Sequence, residues 1–142
     1  MLMSSTDVPS PEQILAAMEG FPLHAQFGLK LVDAADGRCH ARCTVGPAHL
    51  NFGGVVHGGV MYLLLDVVAY CAAVTRLPAG MNATTHDIHV SMLRPTPAGA
   101  ELEFRSQVRK QGRTLVFIDV EAMVGEKLVA SARVTKSLVR LA

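Results

Sequence analysis

The sequence predicts an α+β domain in which an antiparallel β-sheet wraps around one long apolar helix. The first observation is the most apolar window of the chain, residues 58–77, which is long enough for a helix that is apolar on every side. Such a helix has to be buried on every side. The second observation is that the rest of the chain consists of strand-like runs separated by turns. A curled antiparallel sheet could cover the helix and complete the fold.

The first half of the chain supplies a short helix, a hairpin and the long helix. We expect residues 1–9 to be a disordered lead and residues 10–142 to form a single domain. Ser10 as N-cap and Pro11 as first helical residue begin a helix that runs to Gly20. The pair Asp36-Gly37 is typical of a two-residue hairpin turn. The other predicted elements are strands at 26–33 and 38–45, a loop at 46–56 and the apolar helix at about 59–76.

The second half is predicted to consist of strands alone. The run 100–110 alternates most clearly, with Leu102, Phe104 and Val108 on one face and charged or polar residues on the other. Glycines and a proline-rich segment between the runs indicate turns. The predicted strands lie at 83–93, 100–110, 113–124 and 127–139.

The composition is that of a collapsed chain with few charges at its surface. Of 142 residues, 50% are hydrophobic and 18% are charged, and 13 Lys and Arg against 12 Asp and Glu give a net charge of +1. This charge provides no basic field for a nucleic-acid backbone, and 5% aromatic residues with no Trp provide no platform for stacked bases. The scarcity of charges indicates apolar surface hidden between subunits, so we expect a homo-oligomer.

The cysteines and the paired histidines do not predict a metal or redox site. Cys39, Cys43 and Cys71 are odd in number and unsuited to a disulfide framework. Cys39 and Cys43 share a strand face but have no further ligands at zinc spacing. His86 and His89 point to opposite faces of their strand and cannot chelate together. We therefore expect no metal and no cofactor.

The ends and the apolar window indicate a cytoplasmic protein with no membrane partner. No basic segment followed by an apolar stretch marks a secretory signal near Met1. The apolar window contains Asp66 and begins with two glycines, which disfavours a membrane span.

Two features of the long helix could carry chemistry. Gly58-Gly59 lie where the helix begins, so a ligand oxygen could approach backbone N–H groups that have no helical partner, as an oxyanion requires. The alternative is a flexible junction. Asp66 is a carboxylate among apolar neighbours, which predicts a general base, a nucleophile or a paired structural group. A carbonyl held by the Gly58 N–H and attacked by water or by Asp66 itself would undergo acyl transfer. No other nucleophile motif competes with this interpretation, since no G-x-S-x-G motif occurs and Cys71 lies inside the helix.

The same stretch resembles a known family. Asn51, then His57-Gly58-Gly59 opening the helix, then Asp66 eight residues after the first glycine, resemble the motif of hotdog-fold acyl-CoA thioesterases of the phenylacetate-degradation (PaaI-like) branch. The resemblance continues through residues 92–95 and 111–113 and covers roughly 27–138. It implies a hotdog fold and hydrolysis of acyl-CoA thioesters.

The resemblance also implies roles for individual residues. Gly58 would polarise the thioester carbonyl through its N–H, assisted by Asn51, and Asp66 would activate water or attack the carbonyl itself. The hydroxyl that orients water falls at Thr85, with Thr84 and Tyr70 as alternatives. His57 and Gly59 complete the motif, and His57 is expected to be a structural hydrogen-bonding residue. Arg94, Lys110 and Arg113 lie near turns and could bind the phosphates of coenzyme A.

The prediction is thus a thioester hydrolase that forms a homodimer or a dimer-of-dimers tetramer. Its aliphatic composition fits a medium-chain acyl group as well as an aryl acyl group. Gly58 and Asp66 are separated by roughly 12 Å of helical rise, so we expect each site to be shared between two antiparallel helices. Two alternatives stay open: a hotdog hydratase or dehydratase using His57 with Asp66, and a non-catalytic acyl-CoA binding module in which Asp66 is structural.

Overall fold

Six strands and three α-helices make up the computed structural model, which describes residues 9–141. The predicted disordered lead therefore lies, except for Pro9, outside the described residues. The helices are α1 (Pro11–Ala17), α2 (Pro22–Gln26) and α3 (Gly58–Val74), and short 3₁₀ turns occupy Met18–Gly20 and Pro47–His49. The strands are β1 (Lys30–Ala35), β2 (Arg38–Thr44), β3 (Met81–Met92), β4 (Glu101–Gln111), β5 (Leu115–Val124) and β6 (Lys127–Arg140).

All six strands belong to one antiparallel sheet in the order β1-β2-β4-β5-β6-β3. The hairpins β1–β2, β4–β5 and β5–β6 join neighbours in the chain, and β3 pairs with the last strand, β6. The central helix α3 packs against strands β2 to β5. The predicted α+β hotdog architecture, a sheet wrapped around one long helix, is confirmed.

The core forms between α3 and the inner face of the sheet. Leu64, Leu65 and Val68 of α3 are fully buried against Phe104 and Ile118 of the central strands. A buried hydrogen bond adds to this packing, because the hydroxyl of Ser106 on β4 donates to the carbonyl oxygen of Val68 at 2.8 Å. The β-sheet thus holds this part of the helix by apolar contact and by a buried polar anchor close to Asp66.

The helix is not covered on every side, contrary to the expectation from its composition. Tyr62 is 41% exposed, and Leu63, Asp66 and Tyr70 are only partly buried. These four residues recur at the helical spacing of three to four, so they form one stripe along α3. The curled sheet covers the opposite side of the helix and leaves this stripe open within a single chain.

The segment before the first strand differs from the prediction. Residues 26–29 were expected to be extended, but Gln26 ends helix α2 and β1 begins only at Lys30. Pro22 occupies the first turn of α2, where its missing N–H is not needed. Gly28 then adopts a positive φ of 63°, which reverses the chain into the strand. The predicted turn at Asp36-Gly37 is confirmed, with φ values of 53° and 75°.

Candidate active site

Three polar side chains meet beside the open stripe of α3. The carboxylate oxygen Oδ1 of Asp66 accepts hydrogen bonds from Thr85 Oγ1 at 2.8 Å and from Lys136 Nζ at 2.9 Å. Lys136 Nζ also lies 2.8 Å from Thr85 Oγ1. The three groups therefore form a closed triangle, with every donor directed to one oxygen of the carboxylate or to the hydroxyl beside it.

Strand register explains why these residues meet. Thr85 of β3 lies directly opposite Lys136 of β6, so both side chains project from the same face of the sheet. That face is turned toward α3, where Asp66 belongs to the open stripe. The register shifts immediately after Thr85, since Asp87 pairs with Thr135 and leaves His86 as an extra residue. Such bulges are frequent beside active sites, where they redirect a side chain.

Lys136 is the site residue that sequence reasoning missed. Its side chain is 2% exposed, although lysine is almost never fully buried unless it is paired. The signal was present in the strand pattern, because Ala132 and Val134 precede Lys136 at the period of two that defines the inward face. A charged residue at the inward position of an otherwise apolar strand face indicates a buried partner.

The other two candidate hydroxyls do not contact Asp66. Tyr70 donates its hydroxyl to Oδ1 of Asn82 at 2.8 Å, and its ring centroid lies 5.5 Å from Lys136 Nζ. Burial raises the pKa of Tyr70, an effect strengthened by Cys71 and opposed by the hydrogen bond to Asn82. Thr84 precedes Thr85 on the strand, so its side chain projects to the opposite face of the sheet.

His57 caps the N-terminus of α3. Its Nδ1 accepts the N–H of Gly59 at 2.8 Å, which places the ring proton of a neutral imidazole on Nε2. The carbonyl oxygen of His57 accepts from the N–H groups of Val60 and Met61, both at 3.0 Å. A Cβ on Gly59 would lie 3.1 Å from the ring nitrogen, so this glycine leaves room for the cap.

The N–H of Gly58 is the first-turn donor that this cap leaves free. Among residues 9–141, no acceptor satisfies the Gly58 N–H, whereas the next three N–H groups are all bonded to His57. A Cβ on Gly58 would meet only the terminal methyl group of Met92, at 3.8 Å. Gly58 is exposed and lines a pocket, so the free donor lies at an accessible position at the positive end of the helix dipole, where an oxyanion could bind.

Asn51 organises the loop in front of the helix. Its Oδ1 accepts the N–H groups of Gly53 at 2.9 Å and Val55 at 3.3 Å. This arrangement orients the side-chain amide, because the oxygen faces the loop and the NH₂ group is left as the donor available to a ligand. The carbonyl-polarising role implied by the resemblance requires such a donor.

Gly58 and Asp66 open onto different pockets of the chain. The first pocket, of about 300 Å³, is lined by Gly58, Met61, Met92 and Arg94, and it also contains Thr96, whose buried hydroxyl has no partner among the described residues. The second pocket, of about 250 Å³, surrounds Asp66, Thr85 and Lys136. Since α3 is continuous from Gly58 to Val74, roughly 12 Å of helical rise separates the two groups.

The structure does not bring the three candidate phosphate-binding cations together. Arg94 lines the pocket at Gly58. Lys110 and Arg113 lie at the other end of the sheet, in the hairpin between β4 and β5. Across the sheet, Lys110 is aligned with Phe117, Thr135 and Asp87 on the successive strands β5, β6 and β3. Asp87 precedes Met92, the last residue of β3, by five residues, which is about 16 Å along the strand.

The three cysteine thiols are buried. Cys39, Cys43 and Cys71 are free. Burial, with a smaller contribution from Glu101, raises the pKa of Cys43 to about 12, and a hydrogen bond with Cys39 together with burial raises that of Cys71. Residues 9–141 contain no cluster of three or more His, Cys, Asp or Glu side chains that could hold a metal ion.

No helix in this range combines the length and apolarity needed to cross a membrane.

The fold is that of a hotdog protein, and its long helix carries a free N–H at its start and a partly exposed carboxylate. The family model of the thioesterase superfamily matches residues 53–131, which include Gly58, Asp66 and Thr85. The chain belongs to the thioesterase superfamily, and it is a thioester hydrolase.

Relatives of known sequence and structure lie in the same family. The chain is 30% identical over 112 residues to human acyl-coenzyme A thioesterase 13, covering 78% of this chain and 79% of that protein. A variant of the phenylacetic acid degradation protein PaaI from Thermus thermophilus superposes with a TM-score of 0.77 at 31% identity, covering 82% and 98% of the two chains. The PaaI protein of Escherichia coli superposes with a TM-score of 0.81 at 25% identity, covering 90% and 91%. The predicted PaaI-like resemblance is confirmed.

Proposed function

We propose that the chain hydrolyses an acyl-CoA thioester to a free acid and coenzyme A. The observation that carries the proposal is the carboxylate of Asp66, which is 37% exposed in a pocket while one of its oxygens is held by two donors. The other oxygen, Oδ2, has no hydrogen-bond donor in the described part of the chain and is left to act on a reactant. The name of the human relative, an acyl-coenzyme A thioesterase, supports coenzyme A as the thiol of the substrate.

The proposed reaction assigns one task to each group. The N–H of Gly58 and the amide NH₂ of Asn51 bind the thioester oxygen and stabilise the negative charge that develops on it. Asp66 either removes a proton from an attacking water or attacks the carbonyl itself, and Thr85 helps to orient the water. If Asp66 acts as base, water adds to the carbonyl, the acyl–sulfur bond breaks, and one proton of the water ends on the coenzyme A thiol. If Asp66 acts as nucleophile, the acyl–sulfur bond breaks as an acyl–Asp66 anhydride forms, and water then cleaves that anhydride, releasing the free acid and supplying the proton of the thiol.

We further propose that each active site is shared between two subunits. In one chain Gly58 and Asp66 open onto separate pockets, whereas a carbonyl and its attacking water must approach within about 3 to 3.5 Å. Two antiparallel α3 helices related by a two-fold axis would place Gly58 of one subunit near Asp66 of the other. The open stripe of α3 supplies a surface for this contact. The proposed assembly is a homodimer or a tetramer built from two such dimers.

The pocket at Asp66 indicates the kind of acyl group. Met18, Phe21, Val67 and Tyr70 contribute apolar walls, which suit a medium-chain or an aryl acyl group. Arg94, Lys110 and Arg113 remain the proposed cations for the phosphates of coenzyme A. Since they lie at opposite ends of the sheet, a second subunit would have to bring them to one substrate.

Release of free thiol from a panel of acyl-CoA substrates tests the reaction. The panel should include short, medium and long aliphatic chains and aryl acyl groups, with Asp66→Asn as the control for a contaminating activity. We expect thiol release by the native chain and a loss of about 10²-fold or more in the variant. The two alternatives release no thiol: a hydratase would instead hydrate an enoyl-CoA, and a binding module would retain acyl-CoA unchanged.

Subunit complementation tests the shared site. Asp66→Asn and Asn51→Ala chains, each inactive alone, are mixed, unfolded and refolded together. If the sites are shared, a mixed dimer contains one site with both substitutions and one with neither, so its activity approaches half that of the native dimer. If each site lies within one subunit, every site keeps one substitution and the mixture stays as inactive as its parents.

A further inference from the structure

Lys136 is a charged residue buried on the inner face of the sheet. It lies between Thr85 on β3 and Val116 on β5, on the sheet face that packs against α3, and its side chain is 2% exposed. Burying an ammonium group is costly unless it is paired and hydrogen-bonded. Within residues 9–141, all its close polar contacts are with Asp66 and Thr85, and the ring of Tyr70 lies 5.5 Å from its ammonium nitrogen.

The donors and acceptors available in the triangle of Asp66, Thr85 and Lys136 decide which group donates each hydrogen bond. An ammonium group has no acceptor, so Lys136 donates both to Asp66 Oδ1 and to the hydroxyl oxygen of Thr85. The single hydroxyl hydrogen of Thr85 is then committed to Asp66 Oδ1. Thr85 retains only an acceptor position for water, and Asp66 retains Oδ2 as its free oxygen.

We infer that Lys136 is a positioning residue for hydrolysis: through Asp66 Oδ1 and the Thr85 hydroxyl it fixes the carboxylate so that Oδ2 faces the reactant. The inference rests on the proposed function, in which Asp66 acts on the thioester. Charge-assisted hydrogen bonds are stronger than neutral ones, so the ammonium restrains the carboxylate better than Thr85 alone. This restraint matters equally whether Asp66 serves as base or as nucleophile, because both routes need one oxygen at a defined distance.

The kinetic test replaces Lys136 by methionine, which fills a similar volume without charge or donor. We expect kcat to fall about 10- to 100-fold, since a displacement of 1 Å in a reacting group can cost about 10²-fold. KM and the inhibition constant of free coenzyme A should stay within about twofold, because Lys136 touches no part of the proposed substrate. Lys136→Arg, which keeps the charge and the donors, should restore part of the lost kcat.

Ser106→Ala is the matched structural control. Ser106 is 5% exposed and anchors α3 from another strand, through the carbonyl oxygen of Val68, without touching the carboxylate. If Lys136→Met acted only by loosening the helix, Ser106→Ala would lower kcat to a similar degree. Positioning predicts instead that Ser106→Ala lowers the melting temperature while kcat per folded molecule stays near the native value.

Each outcome decides the inference separately from the proposed function. An unchanged kcat per folded molecule in Lys136→Met, with native hydrolysis present and Asp66→Asn inactive, overturns the positioning role alone. Equal losses in Lys136→Met and Ser106→Ala overturn it as well. If Lys136→Met does not fold, Lys136→Gln replaces it: its shorter neutral side chain cannot hold both contacts, so kcat should still fall at unchanged KM. Absence of thiol release by the native chain would overturn the proposed function instead.

Discussion

Replacing Asp66 by asparagine removes more than a reactive carboxylate, because it also leaves the buried ammonium of Lys136 without its counter-ion. An asparagine has nearly the shape of an aspartate, so without a charged partner at this position the fold would be expected to stay nearly intact. The contact of 2.9 Å between Lys136 Nζ and Asp66 Oδ1, with Lys136 2% exposed, changes that expectation. We now predict that Asp66→Asn is measurably destabilised and that a second substitution, Lys136→Met, largely reverses the effect.

The magnitude follows from the burial of the two partners. Breaking a fully buried ion pair by removing one partner typically costs about 3 to 5 kcal/mol. Asp66 is 37% exposed, and asparagine still offers Oδ1 as an acceptor, so we expect a smaller loss, on the order of 1 to 3 kcal/mol. For a chain of this length that corresponds to roughly 3 to 9 °C in melting temperature. The double variant removes the charge together with its partner, a change that is often neutral or stabilising.

Thermal unfolding at one fixed protein concentration measures these differences for the two single variants, the double variant and the native chain. Asp119→Asn is the matched control, because Asp119 is as exposed as Asp66, at 38%, but pairs with two exposed arginines, Arg133 at 2.6 Å and Arg109 at 3.4 Å, instead of a buried lysine. Its melting temperature should change little, since exposed ion pairs contribute about 0 to 1 kcal/mol. A native melting temperature in Asp66→Asn, or a double variant no more stable than Asp66→Asn, would refute the reasoning.

Three further predictions concern the helix terminus and the buried thiols. Gly58→Val should fold but lose about 10²- to 10³-fold in kcat, because its branched side chain obstructs the free N–H; an active, folded variant would contradict this role. Gly59→Ala should lose about 1 kcal/mol of unfolding free energy in a denaturant titration, since its Cβ would lie 3.1 Å from the His57 ring that caps the helix. Gly58→Ala is the control and should keep the cap. Burial raises the pKa of Cys43 from 9.0 to about 12, so the folding stability should decline between pH 9 and 12, where the unfolded chain releases the thiol proton and the folded chain keeps it. Denaturation midpoints measured against pH should show this decline, and Cys43→Ala should make it shallower.

Local sequence patterns were sufficient for most elements of the fold. The helix predicted at about 59–76 is observed at Gly58–Val74, and the strand predicted at 100–110 is observed at Glu101–Gln111. Both depend on side-chain periodicity and on nearby glycine or proline, which act within a few residues. The prediction failed at 26–29. Pro22 begins a second short helix that ends at Gln26, and Gly28 reverses the chain before the strand begins at Lys30.

The motif residues at the helix terminus were also accessible from sequence. His57, Gly58 and Gly59 are adjacent in the chain, so capping geometry follows from local chemistry, and the structure places the His57 ring on the Gly59 N–H. The choice among Thr84, Thr85 and Tyr70 was not accessible in this way. It depended on strand register and on the partner Asn82, which takes the hydroxyl of Tyr70.

The sequence by itself determined the six strands, the long helix and the cap at the start of α3, because these depend on short-range periodicity and capping. Only the tertiary structure decided that Asp66 meets Lys136, 70 residues further along the chain, and that one stripe of α3 stays uncovered. A period of two identifies the face to which Lys136 points, but the pairing of β3 with β6 decides which side chains share that face. The burial of Lys136 then strengthens the contact between the two charges, since little water remains around the ammonium group to compete for it.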